Sequence, residues 1–300
     1  MGTLKGLLRR NVRMFFHDKG LFFTSLITPM ILLVLYISFL GGIYRDAFLM
    51  TIPAGISVPE RVIDGLAGGQ LVSSILSVSC VTVAFCSNML SVQDKVSGVR
   101  RDIDVSSAPR HTVALAYYLA TVLSTLTVCL AAMLLCFVYL AVVGWYLSFL
   151  DVLLLLLDVV MLVLFGTLLS SIINLFLSTQ GQISAVGTIV SSGYGFIAGA
   201  YMPISQFSEG LQTVLSLLPG THGTALLRTH AMRGAIAALG EAGVPAAALD
   251  VLRDSTDCRL YVQDAAVSVP VMYAVILGTV ALLLGAYILL HTLRSRRTEG

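Results

Sequence analysis

The stretch GAYMPISQFSEGLQTVLSLLPGTHGTALLR, residues 199–228, decides how often this chain crosses a membrane. It ends a long segment that carries no charged residue between Val159 and Ser208, so it looks like one more transmembrane helix. Pro203 and Pro219 interrupt it, however, and broken backbone is poorly tolerated in lipid. Counted as a span, the stretch would move everything after it to the opposite side of the membrane.

The composition is that of a protein that crosses a membrane several times. Hydrophobic residues make up 57% of the 300 residues, charged residues 11%, and the mean hydropathy is +0.92. These values exclude a soluble domain with a single core. Four of the five cysteines lie within apolar runs, and neither a disulfide framework nor the spacing of a metal site is present. We therefore predict an all-α polytopic membrane protein without a bound metal.

Six stretches are long enough to cross the hydrocarbon core, which takes about 20 apolar residues in a helix. They comprise residues 21–40, 68–92, 112–143, 152–177, 182–201 and 265–290. We predict one transmembrane domain, with spans 1–5 within residues 21–201 and an outer region at 202–264. The sixth span then occupies 265–292, and a short tail follows at 293–300.

Lysine and arginine are distributed unevenly between the connecting segments. With the N-terminus inside, the inner segments hold 12 of the 18 basic residues and the outer segments hold 6. This asymmetry is what the positive-inside rule predicts. We therefore expect both termini in the cytoplasm of a bacterium, with the chain in its plasma membrane. Since that requires an even number of spans, residues 199–228 stay outside the count.

The first 20 residues combine apolar and basic side chains at helical spacing. The apolar set is Leu4, Leu7, Leu8, Val12, Phe15 and Phe16, and most of the cations fall on the remaining positions. We predict an amphipathic interfacial helix that lies flat on the inner leaflet, with its cations at the anionic lipid head groups.

The region after the fifth predicted span begins with a short helical pattern. Apolar residues share one face within 211–218, after Ser208 as a suitable N-cap, and Pro219-Gly220 follows. We expect a second short helix at 221–232. Two short helices joined at a Pro-Gly break form a re-entrant hairpin, which we place at the outer gate of a substrate path. The predicted gate residues are Tyr201, Met202, Pro203, Pro219 and Gly220.

Small residues recur every fourth position in the fifth predicted span, at Gly187, Ser191, Gly195 and Gly199. Such a stripe lets two helix backbones approach closely. It indicates helix packing, either within the chain or across a homodimer seam, and both alternatives stay open.

Motifs of catalysis are absent from the sequence. No Gly-x-x-x-x-Gly-Lys-Ser/Thr loop is present, so we expect no nucleotide site of the P-loop type and no catalytic residue. Asp158 is the one ionisable residue well inside a predicted span. Intramembrane acids mark substrate or ion paths. Asp158 therefore lines the substrate path, forms a hydrogen bond between helices, or lies at a shallower depth in the membrane.

The loop between the second and third spans mixes charges of both signs. Asp94, Lys95, Arg100, Arg101 and Asp102 either dock a cytoplasmic partner or belong to a solvated turn whose cations set the topology.

Three features in sequence order resemble the permease subunits of type-2 ATP-binding-cassette (ABC-2) exporters. The first is the amphipathic helix, and the second is the inner loop, with charges at 94–95, then Gly98, Arg100-Arg101 and Ala108-Pro109-Arg110. The third is the Gly-Ala-Tyr-Met-Pro turn at 199–203, followed by LQTVLSLLPGTHGTALLR. The resemblance covers essentially the whole chain. The loop departs from the family pattern because only Asp102 or Asp104 can supply the acid expected after its glycine.

The resemblance implies two six-span permeases, identical or different, over two separate ATPase chains. Closure of the ATPases would rock the permeases and move substrate outward, with ATP and Mg²⁺ bound by the ATPases and no cofactor or nucleic acid bound by this chain. The implied coupling residues are Asp94, Lys95, Gly98, Arg100, Arg101, Asp102 and Pro109.

The sequence and the resemblance together narrow the class of substrate only in part. Exporters of this type carry drugs, peptides, lipids or lipid-linked glycans, and a glycan path is expected to offer aromatic platforms. Trp145 is the single tryptophan and aromatic residues make up 8% of the chain, so we expect an amphipathic drug, as in multidrug efflux, or a peptide or lipid. Two other classes stay open, namely an ion-coupled secondary transporter that uses Asp158 and an assembly partner without transport.

Overall fold

The computed structural model describes residues 2–105, 108–263 and 265–297, which form a nearly all-helical bundle. The helices are α1 (Gly2–His17), α2 (Lys19–Leu35), α3 (Gly41–Thr51), α4 (Glu60–Val96), α5 (Val99–Val105), α6 (Arg110–Val143), α7 (Phe149–Phe176), α8 (Gln180–Ile197), α9 (Glu209–Leu215), α10 (Pro219–Glu241), α11 (Ala246–Ser255) and α12 (Val269–Arg297). A π-helical turn, Tyr36–Leu40, joins α2 to α3. Strands β1 (Leu260–Val262) and β2 (Ala265–Val267) form an antiparallel hairpin. Residues 298–300 of the predicted tail, and Asp264 at the end of the predicted outer region, lie outside the described residues.

Five helical stretches of the described chain are long and apolar enough to cross a membrane. They are Lys19–Thr51, Glu60–Val96, His111–Val143, Phe149–Phe176 and Val269–Leu290. Helix α8 is not among them, because glutamine, serine and glycine make it more polar. The predicted start of the last span at residue 265 is wrong, since residues 265–267 pair with β1 and α12 begins only at Val269.

Helix α4 is the centre of the bundle and is buried along most of its 37 residues. It packs against α2, α6, α7, α8 and α10. Small residues on α4 make this possible: a Cβ at Gly65 would lie 2.6 Å from the Tyr146 ring, and one at Gly69 would lie 2.8 Å from the Ala231 carbonyl. Below, the "α1 end" is the end of the bundle where α1 lies, and the "α11 end" is the opposite one.

The sequence predicts two short helices after Ser208, but the second of them is part of a longer helix, α10. Helix α9 ends at Leu215, and Pro219 begins α10, which continues past the predicted end at residue 232 to Glu241. Proline is well tolerated in the first turn of a helix because its missing N–H has no partner there. Helix α10 runs antiparallel to α4, since Thr224 lies 2.6 Å from Ser77 whereas Ala231 lies against Gly69. Its start therefore lies deeper in the bundle than its end.

Helix α1 forms where the sequence predicts it and packs against the first part of α6. Phe15 is buried, and Lys5, Arg9 and Arg13 are exposed. The helix is thus amphipathic in the predicted sense. Its place on a lipid surface stays a prediction.

Candidate functional site

A cleft of about 1380 Å³ separates α2 and α3 from α8, with α4 contributing Cys86, Met89 and Gln93 to its wall. At the α1 end it is lined by Asp18 and Gln180, and at the α11 end by Pro203 and Thr256. The cleft therefore extends along the whole length of the bundle.

The walls of the cleft are mainly apolar, with hydroxyl groups along both sides. Thr24 and Thr28 lie on α2, opposite Ser184, Thr188 and Ser191 on α8. Within the described part of the chain, Asp18 is the one charged residue of the lining. Such a surface suits a molecule with a large apolar body and a few hydrogen-bonding groups.

Three of the predicted gate residues lie at the α11 end of this cleft, namely Tyr201, Met202 and Pro203. The Tyr201 hydroxyl donates to the carbonyl of Ser191 over 3.1 Å, which holds the turn against α8. Gly199 makes the turn possible, because its φ of +70° lies in the left-handed region. Pro219 and Gly220 do not line the cleft, and Gly220 lies beneath the Tyr194 ring instead.

The predicted packing stripe makes its close contacts within the chain. A Cβ at Gly187 would lie 2.5 Å from the Met89 side chain of α4. One at Gly195 would overlap the Tyr201 ring, which explains why a glycine is needed at this position. Ser191 and Gly187 also line the cleft.

The turn at residues 199–205, called the gate turn below because it carries the predicted gate residue Tyr201, is held by Arg228 of α10 together with Asp257. Arg228 is fully buried and its Nη1 lies 3.0 Å from the Asp257 carboxylate. Its Nη2 donates to the carbonyls of Gly199 and Ala200. The Asp257 carboxylate also accepts from the backbone amides of Ile204 and Ser205. This arrangement, called the Arg228 node below, clamps both sides of the turn that carries Tyr201.

Burial controls the electrostatics of the Arg228 node. Burial raises the pKa of the Asp257 carboxyl, and Arg228 and the two backbone amides oppose that rise. With its amide oxygen turned toward the guanidinium, Gln70 of α4 accepts from Nη2 and Nε of Arg228 at 3.2 Å each. The guanidinium is therefore hydrogen-bonded in several directions, as a buried charge requires.

Asp158 is buried on α7 and contacts two residues that are distant in sequence. Nδ1 of His230 on α10 lies 2.6 Å from one carboxylate oxygen, and the Tyr273 hydroxyl of α12 donates to the other over 2.6 Å. These contacts join three helices. Asp158 does not line the cleft, so the hydrogen bond between helices is the alternative that the geometry favours.

Asp94, predicted to couple to a partner, lies in the interior at the α1 end. Arg10 of α1 forms a bidentate pair with it, with distances of 2.7 and 3.1 Å, and the Tyr117 hydroxyl donates to it as well. The pKa of Arg10 is raised by this hydrogen bond, although burial opposes the rise. The arrangement, called the Arg10 node below, fastens α1 to the start of the inner loop.

The other predicted coupling residues form the surface around α5. Gly98, with φ of +86°, turns the chain from α4 into α5, which carries the exposed Arg101 and Asp102. Pro109 is exposed just before α6. Arg100 and Lys95 point inward: the Arg100 guanidinium lies 5.4 Å from the Tyr117 ring centre, and Lys95 Nζ donates to the Asn174 carbonyl over 2.8 Å.

Sequence reasoning missed the residues of the Arg228 node, and it missed the partners that hold Asp94 and Asp158. The sequence places Arg228 among the six basic residues of the outer segments and assigns no role to His230 or Asp257, whereas all three are buried. An available signal was the position of Arg228 and His230 within a mainly apolar stretch, because ionisable residues there need partners. Within the described residues, no group of three or more histidine, cysteine, aspartate or glutamate side chains could hold a metal ion.

Residues 56–287 match the model of a protein family described as "ABC-2 family transporter protein". The match includes the α4 wall of the cleft, α8, the turn that carries Tyr201 and the Arg228 node. A search of curated proteins finds no match.

Proposed function

The chain belongs to the ABC-2 transporter family, and we propose that it is the permease subunit of an exporter driven by a separate ATPase. In this proposal an amphipathic drug, peptide or lipid moves outward along the cleft between α2 and α8. The observation that carries the proposal is the continuity of the cleft from one end of the bundle to the other. Its mainly apolar walls with intermittent hydroxyl groups support an amphipathic substrate over a highly charged one.

The proposed topology has six spans, with α8 as the fifth and the α1 end in the cytoplasm. The 18 residues of α8 measure roughly 27 Å, close to the thickness of the hydrocarbon core. Its ends support a crossing, since Gln180 lines the cleft at the α1 end whereas Ile197 leads into the turn that carries Tyr201 at the α11 end. Helices α9 and α10 would form the re-entrant hairpin, with α10 shielded by α4, α7 and α12.

A second permease chain is proposed to close the open side of the cleft. Ile27 and Ile31 of α2 line the cleft yet are 51% and 54% exposed, and Ile189 on the neighbouring face of α8 is 68% exposed. A homodimer or a heterodimer would cover them in the same way. This closure would turn an open cleft into an enclosed path.

The partner ATPase is proposed to bind at α5, through Arg101 and Asp102. Both side chains are exposed and opposite in charge, which suits a groove with complementary charges. ATP and Mg²⁺ would be bound by that partner, since the chain carries no P-loop. The Arg10 node would transmit movement of α5 to α1 and α4.

Co-purification and transport test the proposal together. The tagged chain is expected to bring down an ATPase, and inside-out vesicles are expected to accumulate an amphipathic fluorescent dye only with ATP. The pair Arg101→Glu and Asp102→Lys should lower ATPase recovery, whereas Lys5→Glu, an exposed change on α1, should not. Recovery of no ATPase, together with dye uptake that is independent of ATP, would contradict the proposal.

Ion-coupled transport is the second candidate, because Asp158 pairs with His230 inside the bundle. In that case Asp158→Asn should abolish transport while ATP depletion leaves it intact. Because neither Asp158 nor His230 is among the residues that line the cleft, the first candidate is favoured. Persistence of ATP-dependent transport in Asp158→Asn would eliminate the second.

A further inference from the structure

A smaller cavity of about 270 Å³ lies at the α1 end, where α4, α6, α7 and α12 meet. This is roughly the space of nine water molecules in the liquid. Among the described residues it shares no lining side chain with the long cleft. It is therefore a separate site, and it is large enough for a phosphate-bearing head group.

The lining of this cavity is rich in hydrogen-bond donors and cations. Lys95 and Arg100 contribute the two positive charges, and within the described chain no carboxylate lines the cavity. Hydroxyl and amide groups surround them. These belong to Asn88, Ser91, Tyr118, Ser171, Asn174 and Tyr287, whereas the Tyr117 hydroxyl in the same wall already donates to Asp94. Ammonium, guanidinium and hydroxyl donors are the groups that bind phosphate oxygens most strongly.

The two cations are held at the wall of the cavity by the fold. Lys95 Nζ donates to the Asn174 carbonyl over 2.8 Å, and the Arg100 guanidinium rests over the Tyr117 ring. Asn88 is held in turn by the Ser171 hydroxyl at 2.8 Å. A ligand therefore meets groups that are already positioned, which lowers the entropic cost of binding.

The cavity adjoins a surface suited to acyl chains. Tyr118 of α6 and Tyr287 of α12 face each other with ring centres 6.2 Å apart. Beside them, Leu115, Leu284 and Ile288 are 44%, 41% and 58% exposed. Tyrosine is typical of the boundary between head groups and hydrocarbon in membrane proteins. A molecule with its head in the cavity could lay its chains along these two helices.

We propose that this cavity binds the phosphate head group of an anionic phospholipid, with the acyl chains on the surface of α6 and α12. Basic pockets between transmembrane helices recognise anionic head groups in this manner. With the proposed orientation, the lipid comes from the inner leaflet. The site adjoins α5, so an occupied cavity would brace the segment at which we place the ATPase.

Native mass spectrometry of the purified full-length chain tests the proposal. Phosphatidylglycerol is expected to bind one molecule per chain more tightly than phosphatidylcholine. Lys95→Gln with Arg100→Gln should weaken that binding by about thirtyfold, since each cation near an anionic lipid surface contributes about fivefold. Arg9→Gln with Arg13→Gln removes two exposed charges from α1 and serves as the matched control, which should retain the tight site.

A second variant separates the cavity from general electrostatics, and its thermal unfolding midpoint shows whether it still folds. Ala114 lines the cavity and is buried, so Ala114→Phe fills the space while both cations remain. It should also lose the tight phosphatidylglycerol site. Unchanged binding in Ala114→Phe, or equal losses in the α1 control, would overturn the proposal. Displacement by millimolar glycerol phosphate would assign the cavity to a soluble anion and overturn the lipid assignment.

Discussion

The ion pairs at the two ends of the bundle differ in how much water reaches them. In the Arg228 node the side chains of Arg228 and Asp257 are 0% and 7% exposed. In the Arg10 node Asp94 is 4% exposed, but Arg10 remains 29% exposed. Each arginine fastens a helix to a turn, yet only one of the two is sealed from solvent.

The difference in exposure between the two nodes matches the segments that they fasten. The sealed node clamps the turn of Tyr201 between α10 and Asp257, and removal of one partner would leave a charge without water. The open node fastens α1 to the start of the inner loop, where Arg10 can exchange its partner for solvent. We infer a rigid frame around the gate and a more adjustable connection at the proposed ATPase side.

The largest effect is expected at the Arg228 node. Arg228→Met leaves the buried Asp257 carboxylate without its cation and should destabilise the fold by about 3–5 kcal/mol. The midpoint of thermal unfolding of the purified protein measures the loss. Adding Asp257→Asn to Arg228→Met removes the unpaired charge, so the double variant should be more stable than the single one. A single variant as stable as the wild type would contradict the clamp.

A glycine in the same region tests whether the frame is also tightly packed. A Cβ at Gly234 of α10 would overlap the Tyr146 carbonyl oxygen, so Gly234→Ala should cost about 1–3 kcal/mol. Gly278→Ala in α12 is the matched control, since a Cβ there would meet no atom from elsewhere in the described chain within 4 Å. Unfolding midpoints should fall for the first variant and stay or rise for the second. Equal midpoints would argue against close packing of α10.

The open node should respond more weakly. In Arg10→Gln the Tyr117 hydroxyl still donates to Asp94 and water replaces the guanidinium, so we expect a loss of about 1 kcal/mol. The same unfolding assay checks this value. A loss as large as that of Arg228→Met would remove the distinction between the two nodes.

The smallest effect concerns the exposed ion pairs of α11. Hydrogen bonds from Arg259 and Arg253 hold the pKa of the Asp250 carboxyl below its ordinary value. Their stabilisation is therefore present above the ordinary carboxyl pKa and is lost as the pH falls through the lowered one. On acidification, the unfolding midpoint of Asp250→Asn should therefore fall slightly less than that of the wild type. High salt should erase this difference between the two proteins. A difference that survives high salt would show that these pairs are shielded.

The sequence predicts the class of fold and the position of the turn that carries Tyr201, because these depend on local patterns. Hydrophobic length identifies α4, α6 and α7, and the Gly-x-Tyr-x-Pro turn indicates where Tyr201 lies. The length of α10 was missed, since whether Pro219 ends one helix or begins another depends on its packing partners. Pairs such as Asp158 with His230, 72 residues apart, depend on tertiary contacts that a single sequence does not display.

The most direct test of the proposed path compares two neighbouring positions on α8. Thr188 lines the cleft, whereas Ile189 does not. Each is changed to cysteine after the five native cysteines are replaced by alanine, and the chain is expressed with the proposed partner ATPase in membranes. ATP should change the rate at which a membrane-impermeant maleimide labels Thr188→Cys from outside and leave Ile189→Cys unaffected. Equal responses at both positions, or no response to ATP at Thr188→Cys, would contradict the cleft as the route of export.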